Sequence, residues 1–190
     1  MQLEFCPKMS DSKKYPTLVW LDLEMTGLEP DSERIIEIAT AVTSHDLSEI
    51  IEGPNLVIKQ PQEFLNNMDE WNTNQHTKSG LVDSLKVTNI TIDEAQRQTL
   101  DFLSLHADKG RSPLCGNSIS HDRRFLRRYM PDLDAFFHYR NVDVSSIKEL
   151  IKRWNPELLD GFKKSGGHRA MEDVLESIEE LKYYREKFFI

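Results

Sequence analysis

The 190-residue chain has little cysteine, no long hydrophobic run and no excess of positive charge. Cys6 and Cys115 are too few for a disulfide framework or a thiolate zinc site, so a reducing, cytoplasmic location is expected. No apolar run approaches the roughly 20 residues that cross a bilayer, and no membrane association is expected. Residues 1–14 lack the continuous apolar core of a signal peptide and the Arg-rich, acid-poor character of a transit peptide, and they read as a loose N-terminal extension. With 24 Lys plus Arg against 32 Asp plus Glu the net charge is -8. Such a balance argues against a protein that blankets the phosphates of long DNA, although it leaves room for a short nucleic acid. Eight Gly and eight Pro do not make a fibrous or low-complexity chain.

What is present suits one folded unit over residues 15–190, with 38% hydrophobic content to build its core. TLVWLDLE (17–24) alternates: Val19, Leu21 and Leu23 point one way, and Leu18, Trp20, Asp22 and Glu24 the other. RIIEIATAVT (34–43) and NLVIKQ (55–60) are further strands, which predicts an antiparallel three-strand meander. Thr91 and Glu94 form a capping box for a helix that Gly110 can stop. A short strand at 113–119 leads into a helix from Ser120 that Pro131 ends, and a strand at 140–146 leads into a helix ending at Asn155 and Pro156. A loop to Gly167 precedes a last helix striped by Met171, Val174, Leu175, Ile178 and Leu181. The order βββ, α, β, α, β, α predicts an α/β fold, a mixed sheet with parallel strands added to the meander and helices on its faces, as in the ribonuclease H-like architecture.

Three places along this chain could carry chemistry. Asp22 and Glu24 share a strand face about 7 Å apart along the chain. Two such acids can hold a hard cation, and two Mg²⁺ ions would need several carboxylates to balance their charge. Alone, the pair reads more readily as a solvated strand end than as a metal site. Asp122 opens the helix after Gly116-Asn117-Ser118-Ile119, where a helix dipole would also favour it, and four arginines follow within six positions. His168 and Asp173 lie about 140° apart on an uninterrupted helix, so they converge only if His168 sits on the Gly166-Gly167 loop or the first turn.

Asp22-Leu-Glu24-Met-Thr-Gly27, the Gly116-Asn117-Ser118-Ile119 stretch with Asp122, and His168-Arg-Ala-Met-Glu-Asp173 together resemble the three motifs of the DEDDh 3′-to-5′ exonucleases. MDEWNTNQH (68–76), DRRFLRRYMP (122–131), FHYRNVDVSS (137–146) and KELIKRW (148–154) narrow the resemblance to the oligoribonuclease family. The resemblance implies that Asp22, Glu24, Asp122 and Asp173 hold two divalent ions, Mg²⁺ or Mn²⁺, with His168 as general base. It implies that Leu28 and Trp71 pack against bases. It also implies that Ser118, Tyr139, Arg140 and Ser145 cap a substrate's 5′-phosphate, part of the cap reaching across a homodimer. The expected substrate is short single-stranded RNA, dinucleotides above all.

Without the resemblance these residues have ordinary readings: core or interface aromatics, a helix cap, a surface charge. Rival functions are a broader exonuclease trimming RNA ends or single-stranded DNA, and a non-catalytic dinucleotide binder. Charge is uneven: residues 121–170 hold eleven Lys or Arg against seven Asp or Glu, a local +4, which leaves -12 for the remainder. The acidic total is therefore compatible with a basic region where a short RNA ends.

Overall fold

The computed structural model describes residues 15–163 and 169–189. Its centre is β1 (Leu18–Met25), whose alternation serves two cores at once. Val19, Leu21 and Leu23 enter one apolar cluster, while Leu18 and Trp20 pack into a second on the other face. β2 (Ile35–Thr43), buried along its whole length, pairs antiparallel with β1, and β3 (Ile50–Val57) pairs antiparallel with β2. The meander is followed by α1 (Gln62–Asn66), α2 (Glu70–Lys78), α3 (Leu81–Val87) and α4 (Ile92–His106). β4 (Leu114–Gly116), α5 (Ser120–Tyr129), α6 (Pro131–Asp134), β5 (Asn141–Asp143), α7 (Val144–Trp154) and α8 (Ala170–Lys187) follow. β4 and β5 run parallel to β1, and the sheet order is β3-β2-β1-β4-β5. This is the mixed, helix-flanked sheet that the sequence predicts.

Each face of the sheet has its own helices because β1, β2 and β4 send apolar side chains into both clusters. α4, α5 and α6 cover one face through Ala95, Leu103, Phe125, Leu126 and Leu133. α7 and α8 cover the other through Val144, Ile151, Val174, Ile178 and Tyr184. Opposite α8, the apolar side chains of β2 are Ala39 and Ala41, small enough to let the helix approach the sheet closely.

Besides β4 and β5 being shorter than the runs expected at 113–119 and 140–146, the structure departs from the sequence expectation in four places. β3 covers 50–57 rather than 55–60, because pairing with β2 carries the ladder back through Gly53 and Pro54, and a register shift between Ala39 and Ala41 absorbs the irregularity. An edge strand tolerates that proline, since one of its sides has no ladder to break. α1, α2 and α3 occupy a region read as having no helix. They are short: α1 buries no side chain, α2 buries only Asn72 and His76, and α3 buries just the pair Leu81 and Leu85, too little for a stripe to stand out. Pro131, which ends α5, also starts α6, a position where its fixed φ favours a new turn. Pro156–Gly161 is a 3-10 turn where a loop was expected.

Trp20 is fully buried and its Nε1 donates to Thr43 Oγ1 at 3.0 Å. Trp20→Ala is expected to lower unfolding free energy by about 3–5 kcal/mol in urea titrations. An unchanged midpoint would contradict its place at the centre of the α8-side core.

Candidate active site

The acidic site follows from the parity of β1. Asp22 and Glu24 lie on the same face as Trp20, towards the layer that contains α8, and α8 carries Asp173 in its first turn. Asp22, Glu24 and Asp173 each offer a carboxylate oxygen, and the three atoms lie within 4.8 Å of one another. Asp122 arrives from the other side. The ladder between β1 and β4 covers only Val19 and Trp20, and further along the edge the Leu23 amide donates to Asp122 Oδ1 at 3.0 Å instead. Asp122 is thereby buried at the start of α5, held to the strand between the two acids.

Such crowding changes the acids. Burial first, then the charges of Asp173, Glu37 and Asp122, push the Glu24 carboxyl from 4.5 up to about 8, with Arg169 opposing. Burial also raises Asp122 well above the usual range, with Asp143 adding to it and backbone amides, including that of Leu23, opposing. A cluster of hard oxygen donors whose own repulsion resists ionisation suits a divalent cation, which would reverse that repulsion. The donor set therefore fits hard metal ions such as Mg²⁺ or Mn²⁺.

Two further residues, Glu37 and His76, support this cluster, and the sequence reading missed them. Glu37 lies opposite Glu24 in the β1–β2 register and is fully buried. Its carboxylate accepts from Arg169 Nε at 3.0 Å and Nη2 at 2.6 Å, and from the Ala170 amide at 3.1 Å. Glu37 thus caps α8 from the neighbouring strand and fixes the turn that bears Asp173. His76 of α2 is buried, and its Nε2 donates to the Met25 carbonyl at 2.9 Å, leaving Nδ1 3.8 Å from Glu24 Oε2. Glu37 sits inside an apolar strand, where an acid is unexpected, and that anomaly was the available signal.

The other expected site residues fall into groups. Leu28 is 68% exposed on a loop that Thr26 closes, accepting from the Arg34 amide at 2.9 Å and donating to Glu33. Trp71 is 64% exposed on α2, five residues from the buried His76 and so on the helix's other side. Ser118 and Ser145 meet at the C-terminal ends of β4 and β5, with Ser118 Oγ donating to Ser145 Oγ at 3.2 Å. Tyr139 and Arg140 lie at the opposite end of β5, Tyr139 being 71% exposed with the Arg140 guanidinium 4.9 Å from its ring. There Arg140 lines a cleft of about 530 Å³ with Tyr15, His45, Arg111 and His138. The chain joins the two serines and joins the tyrosine to the arginine. His168 lies outside the described residues.

The four arginines after Asp122 have local duties. Arg123 is buried and donates to Asp134 Oδ1 and the His138 carbonyl, at 2.8 and 3.0 Å. Arg124 pairs with Glu29, Arg127 with Asp134 and Arg128 with Asp31. Their charge is met by neighbouring acids.

The RNase_T family, described as exonuclease, matches residues 19–181. Curated oligoribonucleases are similar along nearly their whole lengths. That of Shewanella loihica is 56% identical over 172 residues, 90% of this chain and 95% of its own. That of Idiomarina loihiensis is 54% identical over 181 residues, 95% of this chain and 99% of its own. The chain belongs to the oligoribonuclease family. Among solved structures, the Mg²⁺- and Mn²⁺-bound form of S. pombe Pop2p superposes with a TM-score of 0.68 at 16% identity, covering 95% of this chain and 87% of the other. The zinc-bound E. coli ExoI–ssDNA complex gives 0.69 at 15% identity, covering 92% and 41%. At these identities the likeness is one of fold.

The raised Glu24 carboxyl sets a pH dependence of stability. Between about 4.5 and 8 the folded form keeps a proton that the unfolded chain has released, so stability falls as pH rises through that window. EDTA-treated protein is expected to melt lower at pH 8 than at pH 5.5, Glu24→Gln to flatten that difference, and Mg²⁺ or Mn²⁺ to raise the pH 8 midpoint. Equal midpoints at both pH values, with no response to metal, would contradict the crowded-acid account.

Proposed function

We propose that the protein is a 3′-to-5′ exoribonuclease that degrades very short RNA, above all 5′-phosphorylated dinucleotides, to nucleoside 5′-monophosphates. The observation that carries this is the convergence of Asp22, Glu24 and Asp173, with Asp122 held to the Leu23 amide, in a chain of the oligoribonuclease family. In this reading residues 15–190 form one exonuclease domain that works in the cytoplasm.

Asp22, Glu24, Asp122 and Asp173 would hold two divalent ions, Mg²⁺ or Mn²⁺. When bound, such ions polarise a phosphodiester, lower the pKa of a nearby water and stabilise a leaving alkoxide. The chain's own residues do the rest. His168, which precedes the anchored Arg169, takes the proton of the attacking water, a task suited to imidazole near neutral pH. The water oxygen bonds to phosphorus, the bond to the 3′ oxygen of the preceding nucleotide breaks, and that oxygen regains a proton. Trp71 supplies a face on which any base can stack, and Leu28 packs beside a base, which suits a sequence-tolerant enzyme.

Ser118, Ser145, Arg140 and Tyr139 are assigned to the 5′-phosphate, where a guanidinium fork can grip two oxygens. The length of β5 separates Tyr139 and Arg140 from the serines, and Tyr139 is exposed, which supports a homodimer in which part of the cap serves the partner's site. A broader exonuclease would use the same acids without this cap, and a dinucleotide binder would not need them.

Turnover of 5′-phosphorylated RNA from two to ten nucleotides, with Mg²⁺ and with EDTA, tests the reading. Activity is expected to need the metal and to be greatest on the dinucleotide, and equal or rising rates with length would overturn the cap. Asp22→Asn is expected to cost more than the about 10–100-fold typical of losing a supporting residue at a metal site. Arg140→Ala should impair dinucleotide cleavage selectively, whereas equal losses on all lengths would favour the broader exonuclease.

A further inference from the structure

Ser118 and Ser145 are held by more than their mutual contact. Asp143 Oδ1, the cap of α7, accepts from both the Ser118 and Ser145 amides at 3.0 Å. Ser118 sits in the left-handed region with φ of 52°, a strained conformation for a residue with a side chain. The side chains then form a directed chain. Ser118 Oγ donates to Ser145 Oγ at 3.2 Å, and Ser145 Oγ donates to Asn117 Oδ1 at 3.0 Å. The Asn117 amide donates in turn to Ser177 Oγ at 2.8 Å and to Glu180 Oε2 at 3.0 Å. Ser177 Oγ donates to the backbone carbonyl of Asp173 at 2.7 Å.

The polarity of this chain is fixed at its buried end. Glu180, fully buried on α8, also accepts from Tyr184 and pairs with Lys148 at 3.2 Å, so as a carboxylate it can only accept. Turning the Asn117 amide over would set its oxygen against that carboxylate. Asn117 must therefore present its oxygen to Ser145, which commits the single Ser145 proton and leaves the Ser145 oxygen to receive Ser118. The exposed Ser118 hydroxyl is the one donor in the row that can turn to an incoming anion without uncovering a buried group.

We propose that Asn117 is a positioning residue for 5′-phosphate selection, aiming the Ser145–Ser118 pair by tying it to the helix that bears Asp173. The proposal rests on the assignment of the two serines to the substrate's 5′ end. It makes one amide the link between that end and the metal-site helix.

The test compares kcat and KM for a dinucleotide with a 5′-phosphate and the same dinucleotide with a 5′-hydroxyl, both with Mg²⁺. Asn117→Ala is expected to lower the preference for the phosphorylated form about 10-fold, the scale of one charge-assisted hydrogen bond, mainly through KM. Ser145→Ala should lose a similar factor, and the double variant no more than either, because both cut one chain. Equal losses on the two substrates, or losses that multiply to about 100-fold, would overturn the proposal. If Asn117→Ala does not fold, Ser177→Ala is read for the same ratio: a fall supports the proposal and a wild-type ratio overturns it. A wild-type protein without any 5′-phosphate preference would overturn the serine assignment and the proposal with it. A wild-type preference that Asn117→Ala leaves intact overturns the proposal alone.

Discussion

Mutual repulsion among carboxylates at the end of β1 is the constraint around which the rest of the molecule is arranged. Asp22, Glu24 and Asp173 bring oxygens within 4.8 Å of one another, and burial drives Glu24 far from its ordinary pKa. Left to itself such a cluster would spread apart or take up protons. It holds because each acid is fixed from outside. Asp22 and Glu24 are fixed by the β1 ladder, Asp122 by the Leu23 amide, and Asp173 by an α8 whose first turn is capped by Glu37. Within the Glu37–Arg169 ion pair, Arg169 opposes the rise of the Glu24 carboxyl while Glu37 adds more to it than Arg169 removes, so the pair fixes the geometry without relieving the repulsion. The fold stores unfavourable electrostatics at one point and secures it with charge-assisted hydrogen bonds around it, an arrangement typical of sites that bind ions.

The same strand explains why the site and the core are inseparable. β1 alternates so that one row fills the α4–α6 face, while the other begins with Trp20 in the α8-side core and continues as Asp22 and Glu24. A slip of one residue would bury the acids under the wrong helices. Pairing of β1 with β2 on one edge and β4 on the other prevents that slip, and the shortness of β4 leaves the Leu23 amide for Asp122. Catalytic geometry here is a consequence of strand register.

Much of this was legible in the residues. The alternation of TLVWLDLE, the capping box at Thr91 and Glu94, and the stripe of α8 gave their elements because each rests on local periodicity or local hydrogen bonding. α1 and α2 were not, because they bury no apolar side chain, nor was α3, whose apolar pattern is the single pair Leu81 and Leu85. The start of β3 was not, because only pairing with β2 makes a strand of a segment containing Gly53 and Pro54. At the site, the acids at strand and helix ends were visible, while Glu37, His76 and Asn117 act through residues far away in sequence. The arginines after Asp122 show the converse: a charge surplus that stands out in the sequence is met locally by Glu29, Asp31 and Asp134.

If repulsion among these acids is what the fold holds ready, divalent ions should bind the metal-free protein strongly and in a definite number. Calorimetric titration of metal-free protein with Mn²⁺ at pH 8 measures this directly, and the account expects two ions per chain, with the tighter lost in Asp22→Asn. No saturable binding, or binding that Asp22→Asn leaves unchanged, would contradict it.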